Sequence, residues 1–352
     1  MKLLFTLFLM LTVVKAIPQD KRDSLIKQTQ IDQIKALVEE FPVGAQLSMA
    51  VLNDTDVNYL GMLKQEDDIS FISNEDSVFE IGSLTKIFTA TLLCNYLLNE
   101  KIEKTDKINS FLPFKIKKKM TFEQLANHTS GLQRLPANLF ETVTDAGNPY
   151  ANYTEEMFED YLENHLDLKT KAGAKYSYSN LGFGLLGYVL SQIEKEDYKI
   201  LVDKYILSKY NMSSSGFELD KFKEMLVDPY DANGAVCKNW DWSSTLCAAG
   251  GLKSTTHDLV KFVKAHFNAN NKELRLGMAP TFVIDEKLDV GLGWHILKKA
   301  TDHPVFWHNG MSGGYTSSMV IDLERKMGVI ILSNQTTVSL DELVINLVKN
   351  SN

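Results

Sequence analysis

The chain has 352 residues, 44% hydrophobic and 23% charged, with a net charge of −8. That is enough for one large or two interlocked globular domains with an ample core, and the acidic balance argues against the basic footprint of a nucleic-acid binder. Three cysteines and seven scattered histidines form no His-Glu-x-x-His helix and no cysteine pair at zinc spacing, so no metal and no other cofactor is expected.

Residues 1–16 read as a secretory signal. Lys2 is the positive start, Leu3 to Val14 the apolar stretch, and Ala16 the small residue before cleavage. The apolar run is too short for a membrane span, and no later segment reads as one. The mature chain is expected to be secreted or periplasmic, with no integral membrane segment. In an oxidising compartment Cys237 and Cys247 are either a disulfide across a loop or separate thiols, while Cys94 falls on the apolar stripe of a helix. Asn53, Asn127, Asn152, Asn211 and Asn334 match the N-glycosylation pattern, which matters only in a eukaryotic host.

In chain order, Ile26, Ile31, Ile34, Leu37 and Val38 predict an amphipathic helix ending near Pro42. Gln46 to Leu52 and Val57 to Leu63 predict two strands around Asn53-Asp54-Thr55-Asp56. A short strand, Val78 to Ile81, runs into Gly82, and a helix-competent segment, Leu84 to Leu98, follows Ser83. From about 106 to 225 the pattern is helical and polar, with loops at Pro113, Pro136 and Asn148-Pro149 and one strongly apolar helix, Gly184 to Ile193. Strand signals return at Gly291 to Leu297, Val305 to His308, Tyr315 to Leu323 and Met327 to Ser333, the last two forming a hairpin around Glu324-Arg325-Lys326. A helix, Leu340 to Val348, closes the chain. Strands at both ends with helices between predict an α/β (α+β) architecture. Its α/β part covers about 17–105 and 226–352, its all-helical part about 106–225, and a cleft is expected at the junction.

Three stretches carry chemistry. Ser83 sits at a helix start, where unpaired N–H groups favour developing negative charge, and Lys86 shares its helix face. A lysine buried there loses its proton readily enough to activate a serine. Ser24-Leu25-Ile26-Lys27 has the same spacing but no strand and glycine before it, so it reads as background. Tyr178-Ser179-Asn180 precedes the apolar helix: the phenol can relay protons and Asn180 can bind a substrate amide or simply cap the helix. Tyr150-Ala151-Asn152 is a weaker copy in a polar loop. In His308-Asn309-Gly310-Met311 the histidine can hydrogen-bond Tyr178 or shuttle its proton. The glycine lets substrate lie close, and the Met311 N–H can join that of Ser83 in an oxyanion hole.

The order Ser83-x-x-Lys86, Tyr178-Ser179-Asn180, His308-Asn309-Gly310 resembles the penicillin-recognising serine hydrolases, the branch with class C β-lactamases, D-alanyl-D-alanine carboxypeptidases, D-aminopeptidases and related esterases. The stretches Leu125–Leu132, Ala249–Thr255 and Gly291–Trp294 fit as well. The resemblance implies a β-lactamase/transpeptidase-like fold, an antiparallel sheet flanked by helices with an all-helical insertion. It also implies an acyl-enzyme on Ser83, with base work divided between Lys86 and Tyr178 in an order left open. Tyr-Ser-Asn with His-x-Gly is more similar to the carboxypeptidase and peptidase members than to class C β-lactamases, which carry Tyr-Ala-Asn and Lys-Thr-Gly. Two positions depart from the carboxypeptidase pattern: Asn309 stands where a hydroxyl is common, and His295 follows Trp294 where an arginine often binds substrate carboxylate. Both join Asn180, Gly310 and Met311 as expected substrate-binding residues. The reading is a D-Ala-D-Ala carboxypeptidase-like enzyme or related peptidase. A β-lactamase, an esterase and a non-catalytic peptidoglycan-fragment binder or scaffold are its alternatives, the partner in each case being a small peptide, ester or β-lactam.

Overall fold

A computed structural model describes residues 25–242 and 245–350 of the chain; the expected signal and Ser24 lie outside them. Nine strands form one antiparallel sheet: β1 (Gln46–Leu52), β2 (Val57–Lys64), β3 (Ile69–Ile72), β6 (Phe282–Val283), β7 (Leu288–Val290), β8 (His295–Leu297), β9 (Val305–Met311), β10 (Thr316–Asp322) and β11 (Met327–Ser333). Their order is β3-β2-β1-β11-β10-β9-β8-β7-β6, so strands from both ends of the sequence meet at the β1–β11 pair. Strands β4 (Phe79–Glu80) and β5 (Lys253–Ser254) form a separate pair. The helices are α1 (Gln28–Val38), α2 (Thr85–Leu98), α3 (Phe122–Ala126), α4 (Glu155–Asp160), α5 (Asn180–Glu194), α6 (Tyr198–Val202), α7 (Thr256–Phe267), α8 (Lys272–Met278) and α9 (Asp341–Asn350). Among the described residues between β4 and β5 every regular element is helical. Among the described residues no helix is long and apolar enough to cross a membrane.

Strand periodicity explains why the central strands read as nearly continuous apolar runs. Val329 and Ile331 of β11, with Leu47, Met49 and Val51 of β1, pack in one core with α1 and α9. Ile330 and Leu332, with Ala50 and Leu52, pack in the other core with α2, α5, α7 and α8. Helix α2, in that second core, is buried nearly all round, and the turn Gly82–Leu84 that leads into it lies against β9 and β10.

One expectation needs correction, and two open points are settled. Gly291–Leu297 is not one strand: its first part lies in the turn between β7 and β8, which pair antiparallel. The strand expected before Gly82 is present as Phe79–Glu80 and pairs with Lys253–Ser254 rather than with the main sheet. Cys237 is a thiol rather than half of a Cys237–Cys247 disulfide: its Sγ lies against Gly314, whereas Cys247 is buried in the short turn Cys247–Ala249. Asn127 and Asn334 are 2% and 1% exposed, which closes those two glycosylation positions in the folded chain.

Candidate active site

Ser83 lies in a single 3-10 turn, Gly82–Leu84, that feeds directly into α2. Two glycines make that turn possible. Gly82 has φ +50°, a conformation side chains disfavour, and a Cβ there would lie 2.6 Å from Met311 N. A Cβ on Gly310 would fall 2.1 Å from Ile81 O and 2.8 Å from Ser83 N. The end of β9 is thus pressed backbone-to-backbone against the serine turn, which brings the Met311 N–H beside that of Ser83. Ser317 Oγ of β10 donates to Ile81 O at 2.8 Å and Thr85 Oγ1 to Gly82 O at 2.7 Å, fixing the turn from both sides.

One helical turn on, Lys86 is fully buried. Its Nζ donates to Ser83 Oγ at 2.9 Å and to Ala249 O at 2.7 Å, and lies 4.8 Å from the Tyr178 ring centroid. Burial first, and the Arg134 charge second, hold its pKa well below the ordinary lysine value. No carboxylate contributes to that balance.

A second wall forms where the loop around residues 128–134 meets the start of α5. Ser179 caps this helix: its Oγ accepts from Gly182 N at 2.9 Å and donates to Gln133 O at 2.6 Å. The cap is therefore Ser179, and Asn180, the first helical residue, keeps its side chain for the cleft. The Asn180 amide meets the Tyr150 hydroxyl, while its Oδ1 is buried without a partner. Ser179 N donates to His128 Nδ1 at 3.1 Å, and the His128 ring stacks on Tyr178 at 4.3 Å and 30°. Burial raises Tyr178 to about 12, offset in part by its hydrogen bond with Ser83 and by the Arg134 charge. The phenol is thus protonated at neutral pH.

Strand β9 forms the third wall, and its alternation separates two residues expected to act together. His308 faces the site: it is 1% exposed and held neutral by burial, with Nδ1 donating to Asn309 O at 2.7 Å. Its ring centroid is 6.4 Å from that of Tyr178, and its Nε2 has no partner, so the expected His308–Tyr178 hydrogen bond is not made. Asn309 points through the other face, where its Nδ2 donates to Asp341 Oδ2 of α9 at 2.7 Å. That side chain is committed to packing the terminal helix and does not reach the cleft. Met311 contributes its backbone only, its side chain being 60% exposed. His295 on β8 borders the site, but its Nε2 pairs with the Tyr176 hydroxyl at 2.8 Å, and burial lowers it to about 4. It is a neutral wall residue and not the cation that an arginine would be.

Sequence reasoning set Tyr150 aside, yet the fold brings it in. Its ring stacks on Trp242 at 4.0 Å and meets Trp240 at 5.3 Å. Trp242 lies over Gly250, where a Cβ would come 2.5 Å from it, and Trp240 over Gly313 at 2.5 Å. These rings form an aromatic rim joining the second and third walls. His128 and Arg134 were also missed; the only signal was their place in and just after the stretch Leu125–Leu132. Among the described residues no group of three or more His, Cys, Asp or Glu side chains is placed to hold a metal ion.

The comparisons agree with this architecture. The family model described as Beta-lactamase matches residues 35–347. A protein named Beta-lactamase from Pseudomonas fluorescens is 23% identical over 349 residues, covering 88% of this chain and 94% of its own length. Protein flp of Staphylococcus aureus is 23% identical over 288 residues, 76% of this chain, and this chain spans 54% of that protein. Among solved structures, a class C beta-lactamase superposes with TM-score 0.77 at 19% identity, over 92% of this chain and 96% of that one. The octameric penicillin-binding protein homologue from Pyrococcus abyssi superposes with TM-score 0.77 at 22% identity, over 92% and 78%. At these identities the structural likeness is one of fold.

Proposed function

The chain belongs to the Beta-lactamase family, and from that premise we propose that it is a serine hydrolase acting through an acyl-enzyme on Ser83. The observation that carries the reading is the fully buried Lys86 amine 2.9 Å from Ser83 Oγ. With its pKa held well below the ordinary value, the amine is the base: the contact reverses, Ser83 O–H donates to the nitrogen lone pair, and Ser83 Oγ attacks the substrate carbonyl carbon. The Ser83 and Met311 N–H groups receive the oxyanion. Tyr178, protonated up to about pH 12, serves as the acid that gives its proton to the departing nitrogen or oxygen. Water then replaces the leaving group and the same groups run in reverse. Asn180, with an unpartnered Oδ1, receives an N–H of the acyl portion.

A small peptide is the substrate class this reading favours. The neutral His308 stands where the β-lactamase pattern has a lysine, so β9 offers a lone pair rather than a fixed charge. Export through residues 1–16 belongs to the same reading. A fluorescent penicillin or fluorophosphonate probe is expected to label the wild type and the Lys27→Ala variant but not Ser83→Ala. A folded wild type that takes no label would favour the non-catalytic binder. Rates on a D-Ala-D-Ala peptide, a p-nitrophenyl ester and nitrocefin rank the substrates, and rapid nitrocefin turnover would overturn the peptidase assignment.

A further inference from the structure

We propose that Arg134 is the residue through which this site recognises a carboxylate on its substrate. The inference rests on the reading of the cleft given above and assigns it a substrate class.

Arg134 stands at the rim of the cleft, with its guanidinium carbon 5.2 Å from the Tyr178 ring centroid. Its backbone is pinned there, because its carbonyl accepts the N–H groups of Asn180 at 2.9 Å and Leu181 at 3.0 Å. The cation is therefore held over the residue assigned as proton donor, next to the amide assigned to the acyl portion. Its side chain is exposed, and among the described residues no carboxylate lies within ion-pair distance of it. The contrast with Arg325 is instructive: that guanidinium pairs with Asp322 at 2.7 Å.

A second observation concerns the charges around the cleft. The chain carries 45 acidic against 37 basic residues, yet the buried titratable groups beside Ser83 have no carboxylate among the charges that act on them. The Arg134 charge acts on both Lys86 and His128, and no carboxylate acts on either. The nearest buried acid in sequence, Glu80, lies behind the serine turn, accepts from Trp240 N at 2.9 Å and faces Lys253 across the β4–β5 pair. With burial holding Lys86 and the histidines toward their neutral forms, Arg134 stands at the cleft as a fixed positive charge, and such a charge draws anions.

Chemistry selects the ligand. A guanidinium offers a planar fork of N–H donors that matches a carboxylate in two parallel bonds, and resting on a phenol ring leaves its edge free to make them. The other groups expected to take that role are occupied: His295 is neutral and bonded to Tyr176, and Asn309 is tied to Asp341. Carboxylate recognition in this chain thus falls to the wall opposite β8 and β9.

A carboxylate on either side of the scissile bond has this chemistry, and paired esters separate the two. The acyl-side pair is p-nitrophenyl hydrogen succinate against p-nitrophenyl acetate; the leaving-side pair is 3-carboxyphenyl acetate against phenyl acetate. For Arg134→Gln the anionic-to-neutral ratio of kcat/KM is expected to fall at least tenfold in one pair, to recover in part in Arg134→Lys, and in the wild type to decline with added salt. A parallel titration in the Ser83→Ala background compares N-acetyl-D-Ala-D-Ala with its C-terminal amide, and Arg134→Gln is expected to erase the preference for the acid. Ester ratios within twofold of wild type, or an equal loss on charged and neutral substrates, would overturn the proposal. Binding preference that depends on Arg134 in a protein that hydrolyses no ester would leave Arg134 standing and remove the hydrolase reading instead.

Discussion

Replacing Gly310 by alanine tests whether the contact between β9 and the serine turn makes the site. The added methyl would sit 2.1 Å from Ile81 O, 2.6 Å from Ser317 Oγ and 2.8 Å from Ser83 N. Two of these are backbone atoms that cannot rotate away. Reaching an ordinary contact of 3.4 Å from Ile81 O requires β9 to retreat by about 1.3 Å, the difference between the two distances. A misplacement of about 1 Å costs on the order of 10²-fold in rate, and losing one oxyanion donor costs about 10²–10³-fold. Overpacking of this kind destabilises by about 1–3 kcal/mol. Gly310→Ala is therefore expected to lower kcat on a p-nitrophenyl ester by about 10²–10³-fold while remaining folded. Gly277→Ala is the control: its methyl would meet nothing closer than 3.6 Å, on a helix where alanine is the better residue. Denaturant unfolding should show it equal to or more stable than wild type. If Gly310→Ala folds and keeps its kcat within about threefold, the Met311 N–H is not part of an oxyanion hole.

The division of proton work predicts a pH profile. Since Lys86 must be unprotonated to act, kcat/KM should fall on the acidic side as Lys86 gains its proton, at a pH well below that of an ordinary lysine, and should hold on the alkaline side until Tyr178 approaches about 12. An alkaline limb near neutrality would show that the base assignment is wrong. Lys86→Ala and Tyr178→Phe should each cost about 10²–10⁴-fold, with Lys86→Ala also abolishing the acidic limb of any residual activity. Stability should depend on pH for a separate reason. Burial lowers His266 and His295 from 6.5 to about 4. Between those values the unfolded chain binds protons that the folded chain refuses, so stability is fully present above pH 6.5 and is lost as pH falls. The loss is at most about 1.4 kcal/mol per pH unit for each group. In His266→Gln the slope of unfolding free energy against pH should be shallower; an unchanged slope would refute the linkage.

Much of the fold was legible because its signals are local. The apolar runs Gln46–Leu52 and Met327–Ser333 are strands buried on both faces, and the Ser83–Lys86 spacing is a property of one helical turn. The misreadings come from information that a linear pattern carries only weakly. Gly291–Leu297 has the apolar content of one strand, but Gly293 adopts φ +76° and turns the chain between β7 and β8. Asn309 could have been placed correctly: adjacent residues of a strand face opposite sides, so if His308 points into the cleft its neighbour cannot. Treating His308-Asn309-Gly310 as a motif hid the alternation that strand geometry imposes.

Arg134 and Tyr150 were not legible for a different reason. Arg134 is placed by carbonyl bonds to Asn180 and Leu181, and Tyr150 by stacking on Trp242; both partnerships cross long stretches of chain. A net charge of −8 carries no hint that a cation stands at the cleft mouth, because a local field depends on which few groups face the hollow and not on the total. The consequence concerns substrate orientation. With a lysine in place of His308, the fixed charge would stand on β9, beside the oxyanion hole. In this chain burial keeps His308 neutral, and the charge at the cleft mouth belongs to Arg134, across from β9 and over Tyr178. A carboxylate drawn to that wall lies on the proton donor's side of the scissile bond or on the Asn180 side of the acyl group, away from the strand edge. Selectivity among acyl donors is then set by the loop that carries Arg134, while the Ser83–Lys86 chemistry beneath it is unchanged.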